Sequence, residues 1–389
     1  MRMRALLVAG CLVVGACSST DTQPTSAPET TSTPETTSSP TTTTTTEIVT
    51  TTTPASRVVE LEPIEAPGGV QAWNVSYVSE TVRGEPTTVT GWIAIPDAAE
   101  EEIPVVAWAH PTVGLADTCS PSAGGGRTPF SFRTELDAGW AVVATDYEGL
   151  GGPGLHPYLV SESAARSIFD IVRAARELDD RVGDRVALWG FSQGGHAVLS
   201  AAGLAADLAP ELEVVGTVAI APAVDLVGWP PVALGTTQQG YIATIVVAYA
   251  ETYGLDVREV LGPLDDRLLE EITSACADPT FLGAALLPAD RVFSADPSQV
   301  EPWASLLRDN SPDLVPIPSP VLIVAGDEDR LFDTAELPAL VERMCALGTP
   351  VATMTYPDVG HLDVQTPAAR DIRVFLTQRI RGSTFESDC

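Results

Sequence analysis

Apolar residues along this chain follow two rhythms in alternation. Short runs at 105–109, 141–145, 185–189, 214–220, 321–325 and 351–356 are almost wholly apolar, as strands buried on both faces of a parallel sheet require. Between them, Ile168, Ile171, Val172, Ala175 and Leu178 recur at helical spacing, as do Leu337, Leu340, Val341 and Met344. Two earlier stretches, 70–78 and 89–95, alternate apolar with polar and predict an antiparallel pair at the sheet edge. Strand–helix alternation of this kind gives a mostly parallel, doubly wound α/β sheet with right-handed crossovers, covered by helices on both faces.

One interval breaks the rhythm. Roughly a hundred residues separate the strand ending near Ile220 from the one starting at Val321, where a crossover unit needs only about 30. The interval holds an all-round apolar stretch, 242–250, and a charged helical one, 257–272. We read 223–315 as an inserted, mostly helical cap over the C-terminal edge of the sheet. The apolar stretch is too short to span a membrane.

The N-terminal part is of another kind. Arg2 and Arg4 precede an apolar run and then Val14-Gly15-Ala16-Cys17, the pattern of a bacterial lipoprotein signal. Residues 1–16 are therefore expected to be removed and Cys17 to carry lipid. Residues 17–57 are almost entirely Ser, Thr, Pro and acidic residues, which cannot bury enough apolar surface to offset the entropy of ordering. They predict a disordered tether, and 58–389 the folded body. The formal charge of −31 argues against nucleic acid as a partner. An N-terminal lipid anchor would hold the protein at the outer face of the cell membrane; we expect a monomer. Of six cysteines, Cys11 leaves with the signal and Cys17 is acylated. Cys119, Cys276, Cys345 and Cys389 remain, and in an exported protein favour two disulfides, with three possible pairings. No Cys-x-x-Cys or paired Cys/His spacing suggests a metal.

The chemistry is concentrated in Gly190-Phe191-Ser192-Gln193-Gly194, between a predicted strand and a predicted helix. Gly-x-Ser-x-Gly at such a junction is a nucleophile elbow, whose sharp turn admits only small neighbours and lifts the hydroxyl clear of the sheet. A serine hydroxyl needs a base, and the base needs an acid to orient it. In the chain order Ser, acid, His, only His361 of the four histidines comes late enough; it follows the 351–356 strand. His110 and His196 are expected to brace or pack. The acid comes from the loop after the 321–325 strand; a reversal at Gly326 favours Asp329, with Asp327 and Asp333 left open. Gln193 N–H supplies one donor to an oxyanion, and the loop after Ala109 the other. Pro111 has no N–H, which leaves Thr112 or Val113, with Thr112 preferred.

Asp146-Tyr147-Glu148-Gly149-Leu150-Gly151 with His156-Pro157-Tyr158-Leu159, Gly190-Phe191-Ser192-Gln193-Gly194-Gly195, Thr118-Cys119-Ser120-Pro121-Ser122 and Gly360-His361-Leu362 together resemble the secretory lipase family, fungal lipases of the Candida lipase A type and their bacterial relatives. The resemblance runs from about residue 60 to the C-terminus. It implies an α/β-hydrolase fold with a helical cap, a carboxylic ester substrate, no metal or organic cofactor, and Ser192, Asp329 and His361 as the triad. It also implies Cys119 bonded to Cys276 and Cys345 to Cys389. His110-Pro111-Thr112 departs from the glycine-containing oxyanion loop common in esterases, and Asp146-Tyr147-Glu148-Gly149 has no evident chemical role beyond support. The expected activity is ester hydrolysis. An acyltransferase, peptidase, thioesterase or polyester depolymerase on the same scaffold, and an inactive lipid-anchored binding protein, are the competing readings.

Overall fold

In this computed structural model, residues 56–97, 102–124, 126–262, 266–276 and 283–389 are described. The expected signal, Cys17 and all but the last two residues of the expected tether lie outside them. Nine strands form one sheet: β1 (Val58–Pro63), β2 (Val70–Glu80), β3 (Pro86–Pro96), β4 (Ile103–Ala109), β5 (Ala141–Thr145), β6 (Val182–Phe191), β7 (Glu213–Ile220), β8 (Val321–Gly326) and β9 (Val351–Tyr356). Their order is β1-β2-β3-β5-β4-β6-β7-β8-β9. The pairs β1/β2, β2/β3 and β3/β5 are antiparallel, and all pairs from β5/β4 to β8/β9 are parallel. The antiparallel edge pair is present as expected, extended outward by β1.

Helices in chain order are α1 (Arg133–Asp137), α2 (Ser161–Leu178), α3 (Gln193–Leu208), α4 (Trp229–Ala233), α5 (Gln239–Tyr253), α6 (Asp266–Ser274), α7 (Ala289–Val292), α8 (Trp303–Asp309), α9 (Leu337–Ala346) and α10 (Gln365–Ile380). Alternation along the central strands sends side chains into two separate cores. Val105, Ala107, Val186, Leu188 and Ile323 pack with α2, α3 and α9 on one face. Val106, Trp108, Ala187, Trp189, Leu322 and Val324 pack with α1 and α10 on the other. Both faces being covered explains why these strands read as continuous apolar runs.

The long interval between β7 and β8 holds α4 to α8, which enclose a third apolar cluster around Ile242, Ile245, Val246, Tyr249 and Trp303. The stretch 242–250 of α5 is apolar all round because it is buried all round. The expected continuous helix over 257–272 is not found. A single 3-10 turn, Val257–Glu259, is followed by an isolated bridge from Leu261 to Phe293, and α6 starts only at Asp266. The cause is in the sequence: Gly262-Pro263 interrupts the helical pattern, and the residue before a proline disfavours the helical region.

Both disulfides implied by the resemblance are present. Cys119–Cys276 joins the segment after β4 to the end of α6, beside a backbone bridge from Gly114 to Cys276. Cys345–Cys389 joins α9 to the last residue. The C-terminal tail runs along β9, where Asp388 N–H donates to Val351 O (2.8 Å) and Thr353 N–H donates to the Asp388 carboxylate (2.8 Å). That tail occupies hydrogen-bonding groups of an edge strand. Replacing Cys345 and Cys389 together by serine is expected to lower the unfolding free energy by about 2–4 kcal/mol, the usual worth of a native cross-link. Urea denaturation measures this, and an unchanged midpoint would show that the tail is held without its staple.

Candidate active site

Strand β6 ends at Phe191 and α3 begins at Gln193, so the whole reversal falls on Ser192. Its backbone sits at φ 56° and ψ −115°, a conformation costing of order 1–3 kcal/mol for a residue with a Cβ. The surroundings enforce it: Ser192 N–H donates to Ile220 O on β7 (2.8 Å), and His196 N–H donates to Ser192 O (3.1 Å). A Cβ on Gly190 would lie 2.0 Å from Gly194 O, and one on Gly194 would lie 2.0 Å from Ala109 O. Both glycines are required by close backbone approach, as the motif predicts.

The loop after β9 brings His361 to the serine. Ser192 Oγ lies 3.0 Å from His361 Nε2, and His361 Nδ1 lies 2.7 Å from Asp329 Oδ2. A carboxylate only accepts, so Nδ1 carries the proton toward Asp329 and Nε2 is free to accept from the hydroxyl. The other Asp329 oxygen accepts from Leu331 N–H (2.8 Å) and Phe332 N–H (3.0 Å). Burial alone would raise the Asp329 carboxyl, but the hydrogen bond and charge of His361 and the two backbone donors outweigh it and hold it below the usual carboxylate range. Of the three carboxylates left open by the sequence, Asp329 alone contacts His361. Asp327 is exposed, and Asp333 accepts from Ala335 N–H to cap a short 3-10 turn.

The two expected oxyanion donors lie on adjoining elements. Gln193 N–H opens α3, and neither it nor Thr112 N–H has a protein acceptor among the described residues. The elbow abuts the end of β4, since the Cβ position of Gly194 also falls 2.9 Å from His110 O. His110, buried, braces this loop as expected; its ring nitrogens face Pro111 O (2.7 Å) and Asp146 O (3.1 Å).

Sequence reasoning left Asp146, His156 and Tyr158 without chemistry; the structure gives each a task. The buried Asp146 carboxylate accepts from Thr90 Oγ1 (2.7 Å), Ser120 Oγ (2.7 Å), Ser122 Oγ (2.5 Å) and Ser122 N–H (2.9 Å), fastening the cysteine-bearing segment to the sheet. His156 Nδ1–H donates to Glu148 O (2.8 Å), which leaves its bare Nε2 to accept from the Gln193 side-chain amide (2.6 Å). The Tyr158 hydroxyl lies 2.8 Å from Thr112 Oγ1. One tripeptide thus holds both residues expected to serve the oxyanion. No local pattern in the sequence signalled this; His156-Pro157-Tyr158 figured there only among the segments that carry the family resemblance.

A cavity of about 560 Å³ borders Asp329, lined by Ala221, Pro222, Trp229, Leu331, Phe332 and Leu337 among others. Ser192 and His361 do not line it, so it adjoins the acid rather than the reacting hydroxyl. Among the described residues no cluster of His, Cys, Asp and Glu is arranged to hold a metal, and no helix is long and apolar enough to cross a membrane.

A mostly parallel sheet with a serine elbow after its central strand, and the paired His and Asp on the loops after its last two strands, defines an α/β-hydrolase. Within that class, the secretory lipase family model matches residues 129–387, and the chain belongs to that family, one of carboxylic ester hydrolases. The chain is 28% identical over 348 residues to a Mycobacterium tuberculosis protein named a probable inactive lipase, covering 81% of this chain and 75% of that one. It is 24% identical over 367 residues to a secreted triacylglycerol lipase of Malassezia globosa, covering 86% and 76%. Its fold is similar to that of Candida antarctica lipase A, with a TM-score of 0.75, 20% identity, and coverage of 86% and 84%.

Burial also makes the site's supporting histidines acid-sensitive. His156 is pushed down to about 3 and His196, whose Nε2–H donates to Asn310 O (2.8 Å), to about 4, both chiefly by desolvation. Their unfolded values lie near 6.5. Between those limits the unfolded chain binds protons that the native one does not, so stability falls as pH falls, by about 1.4 kcal/mol per pH unit for each histidine. His196→Gln keeps a donor for Asn310 O but cannot titrate. Denaturation midpoints measured from pH 6.5 to 4.5 should decline less steeply in that variant; parallel declines would rule out the assignment.

Proposed function

We propose that this protein is an exported serine esterase that cleaves acyl esters, triacylglycerols or simpler ones, through an acyl-enzyme. His361 Nε2 takes the Ser192 proton as Oγ bonds to the ester carbonyl carbon. The carbonyl oxygen becomes an oxyanion held by the N–H groups of Gln193 and Thr112, and Asp329 stabilises the imidazolium. The tetrahedral intermediate collapses, the carbon–alkoxide bond breaks, and His361 returns the proton to the departing alcohol. Water, deprotonated by His361, then attacks the acyl-serine, and as the Ser192–acyl bond breaks His361 returns that proton to Ser192 Oγ and the carboxylic acid leaves. The unbroken line Ser192 Oγ, His361 Nε2, His361 Nδ1, Asp329 Oδ2 carries this reading.

The relative named a probable inactive lipase favours a second reading, a lipid-anchored binding protein whose site no longer turns over. The complete hydrogen-bonded set of three supports activity instead. Labelling by a fluorophosphonate probe separates the two, since only a basic imidazole beside the hydroxyl makes the serine react. Ser192→Ala is expected to abolish p-nitrophenyl ester hydrolysis in a folded protein; turnover surviving that change would remove the mechanism. Among Asp327→Asn, Asp329→Asn and Asp333→Asn, only the second should reduce kcat steeply, by a factor of about 10⁴ as for a triad aspartate elsewhere. Adding alcohol acceptors to the assay distinguishes hydrolysis from acyl transfer, and polymer film distinguishes a depolymerase.

The inserted helices act in this reading as a cap over the site, and Cys17 anchors the body to the outer face of the membrane through a Ser/Thr/Pro-rich tether. Cys17→Ser should shift the protein from the membrane fraction to the medium. An unaltered distribution would leave the anchor without support.

A further inference from the structure

We infer that the Thr112 hydroxyl, oriented by Tyr158, is a third donor to the oxyanion, beyond the two backbone N–H groups. The inference rests on the serine mechanism proposed above. Its basis is the direction of one hydrogen bond. Tyr158 Oη is buried, and Thr112 Oγ1, 2.8 Å away, is its one partner among the described residues. Two hydroxyls that share a single contact have one proton between them and one directed elsewhere. If Thr112 donated, the Tyr158 proton would point into the protein interior with no acceptor, an unmade bond costing about 1–3 kcal/mol. If Tyr158 donates, its proton is satisfied, and the proton on Thr112 Oγ1 is directed outward. Thr112 is only half-buried, which leaves that proton room to turn toward accessible space.

The loop that carries Thr112 leaves the sheet beside the elbow. Ala109 pairs with Gly190 across β4 and β6, and the backbone of Ala109 and His110 lies against Gly194. The tripeptide 156–158 closes the arrangement from the other side, with His156 on the Gln193 side chain and Tyr158 on that of Thr112. Tyr147 contacts His110, tilted to it at 4.4 Å between ring centroids, and His156, stacked on it at 5.6 Å, and so fixes the spacing of the two halves. Its hydroxyl donates to His110 O (3.2 Å). Burial pushes the Tyr158 phenol far above its ordinary range, so it remains a donor at every working pH. The hydroxyl donation requires no covalent step: Thr112 Oγ1–H strengthens its bond to the carbonyl oxygen as negative charge develops there, and relaxes when the intermediate collapses.

Thr112→Val removes the hydroxyl but keeps the shape and the backbone N–H. It is expected to lower kcat about 100-fold, the loss typical of one oxyanion donor, with KM within about threefold. Thr112→Ser should recover most of that loss, and Tyr158→Phe, which frees the threonine to rotate, should cost about tenfold in kcat. The double variant Thr112→Val with Tyr158→Phe should be no slower than Thr112→Val alone, because both changes remove one donor. Affinity for a trifluoromethyl ketone, which adds Ser192 and carries a real oxyanion, should fall in Thr112→Val by the same factor as kcat/KM. Circular dichroism melting of each variant confirms the fold. A folded Thr112→Val enzyme with kcat within threefold of the parent, or one whose loss is not recovered by Thr112→Ser, overturns the inference. If Ser192→Ala is inactive in the same assay, the serine mechanism survives that failure; if Ser192→Ala turns over, both fall together.

Discussion

The constraint on which this molecule turns is the collision of three backbone segments around one serine. The carbonyls of Gly194 and Ala109 occupy the volume where side chains at Gly190 and Gly194 would be. A chain so crowded cannot relax Ser192 out of its positive φ, and the strain becomes a fixed direction for the hydroxyl. The same crowding presses the end of β4 onto the start of α3, so the loop after β4 and the helix N-terminus come as a pair. Packing on both sheet faces holds this geometry: Leu188 anchors β6 in one core and Trp189 in the other.

Electrostatics then sorts four histidines into different jobs by partner alone. His110, His156 and His196 are buried against backbone carbonyls, and desolvation holds their rings neutral. A neutral ring is a fixed donor through one nitrogen, useful as a strut, and in His156 the other nitrogen also accepts from Gln193. His361 instead faces a carboxylate on one side and a hydroxyl on the other, so its ring joins two side chains where the other three are held by backbone carbonyls. The carboxylate of Asp329 stays ionised because its oxygens accept from His361 and two backbone N–H groups.

Much of this was legible in the sequence. The apolar runs marked the strands because a sheet covered on both faces leaves no polar alternation to confuse with a helix. The elbow was legible because its two glycines answer to a steric need. His361 followed by elimination, since chain order left no other histidine. The choice among Asp327, Asp329 and Asp333 was less determined, because all three sit on one loop and only the turn after Gly326 decides which carboxylate faces inward. The helix expected over 257–272 failed where Gly262-Pro263 outweighed a charged, helix-like composition. The bracing by His156 and Tyr158 was not legible at all. It depends on contacts across 37 and 46 positions of chain, and no local pattern encodes which side chain a buried ring will meet.

The inserted helices reach the chemistry through aromatic contact. Trp229 of α4 packs on Phe332 at 5.1 Å between centroids, and Phe332 packs on His361 at 5.5 Å, with Phe191 against His361 at 5.2 Å. Phe332 N–H also donates to Asp329, so one residue touches the acid, the imidazole and the insertion. Phe191 and Phe332 both pack against the imidazole, and a charge pair formed in a drier site is worth more than one in solvent. The insertion between β7 and β8 therefore reaches the His361–Asp329 pair through a single ring. By seating Trp229 on Phe332 it sets part of the packing around the imidazole, which makes the placement of that ring depend on a segment far from it in the chain.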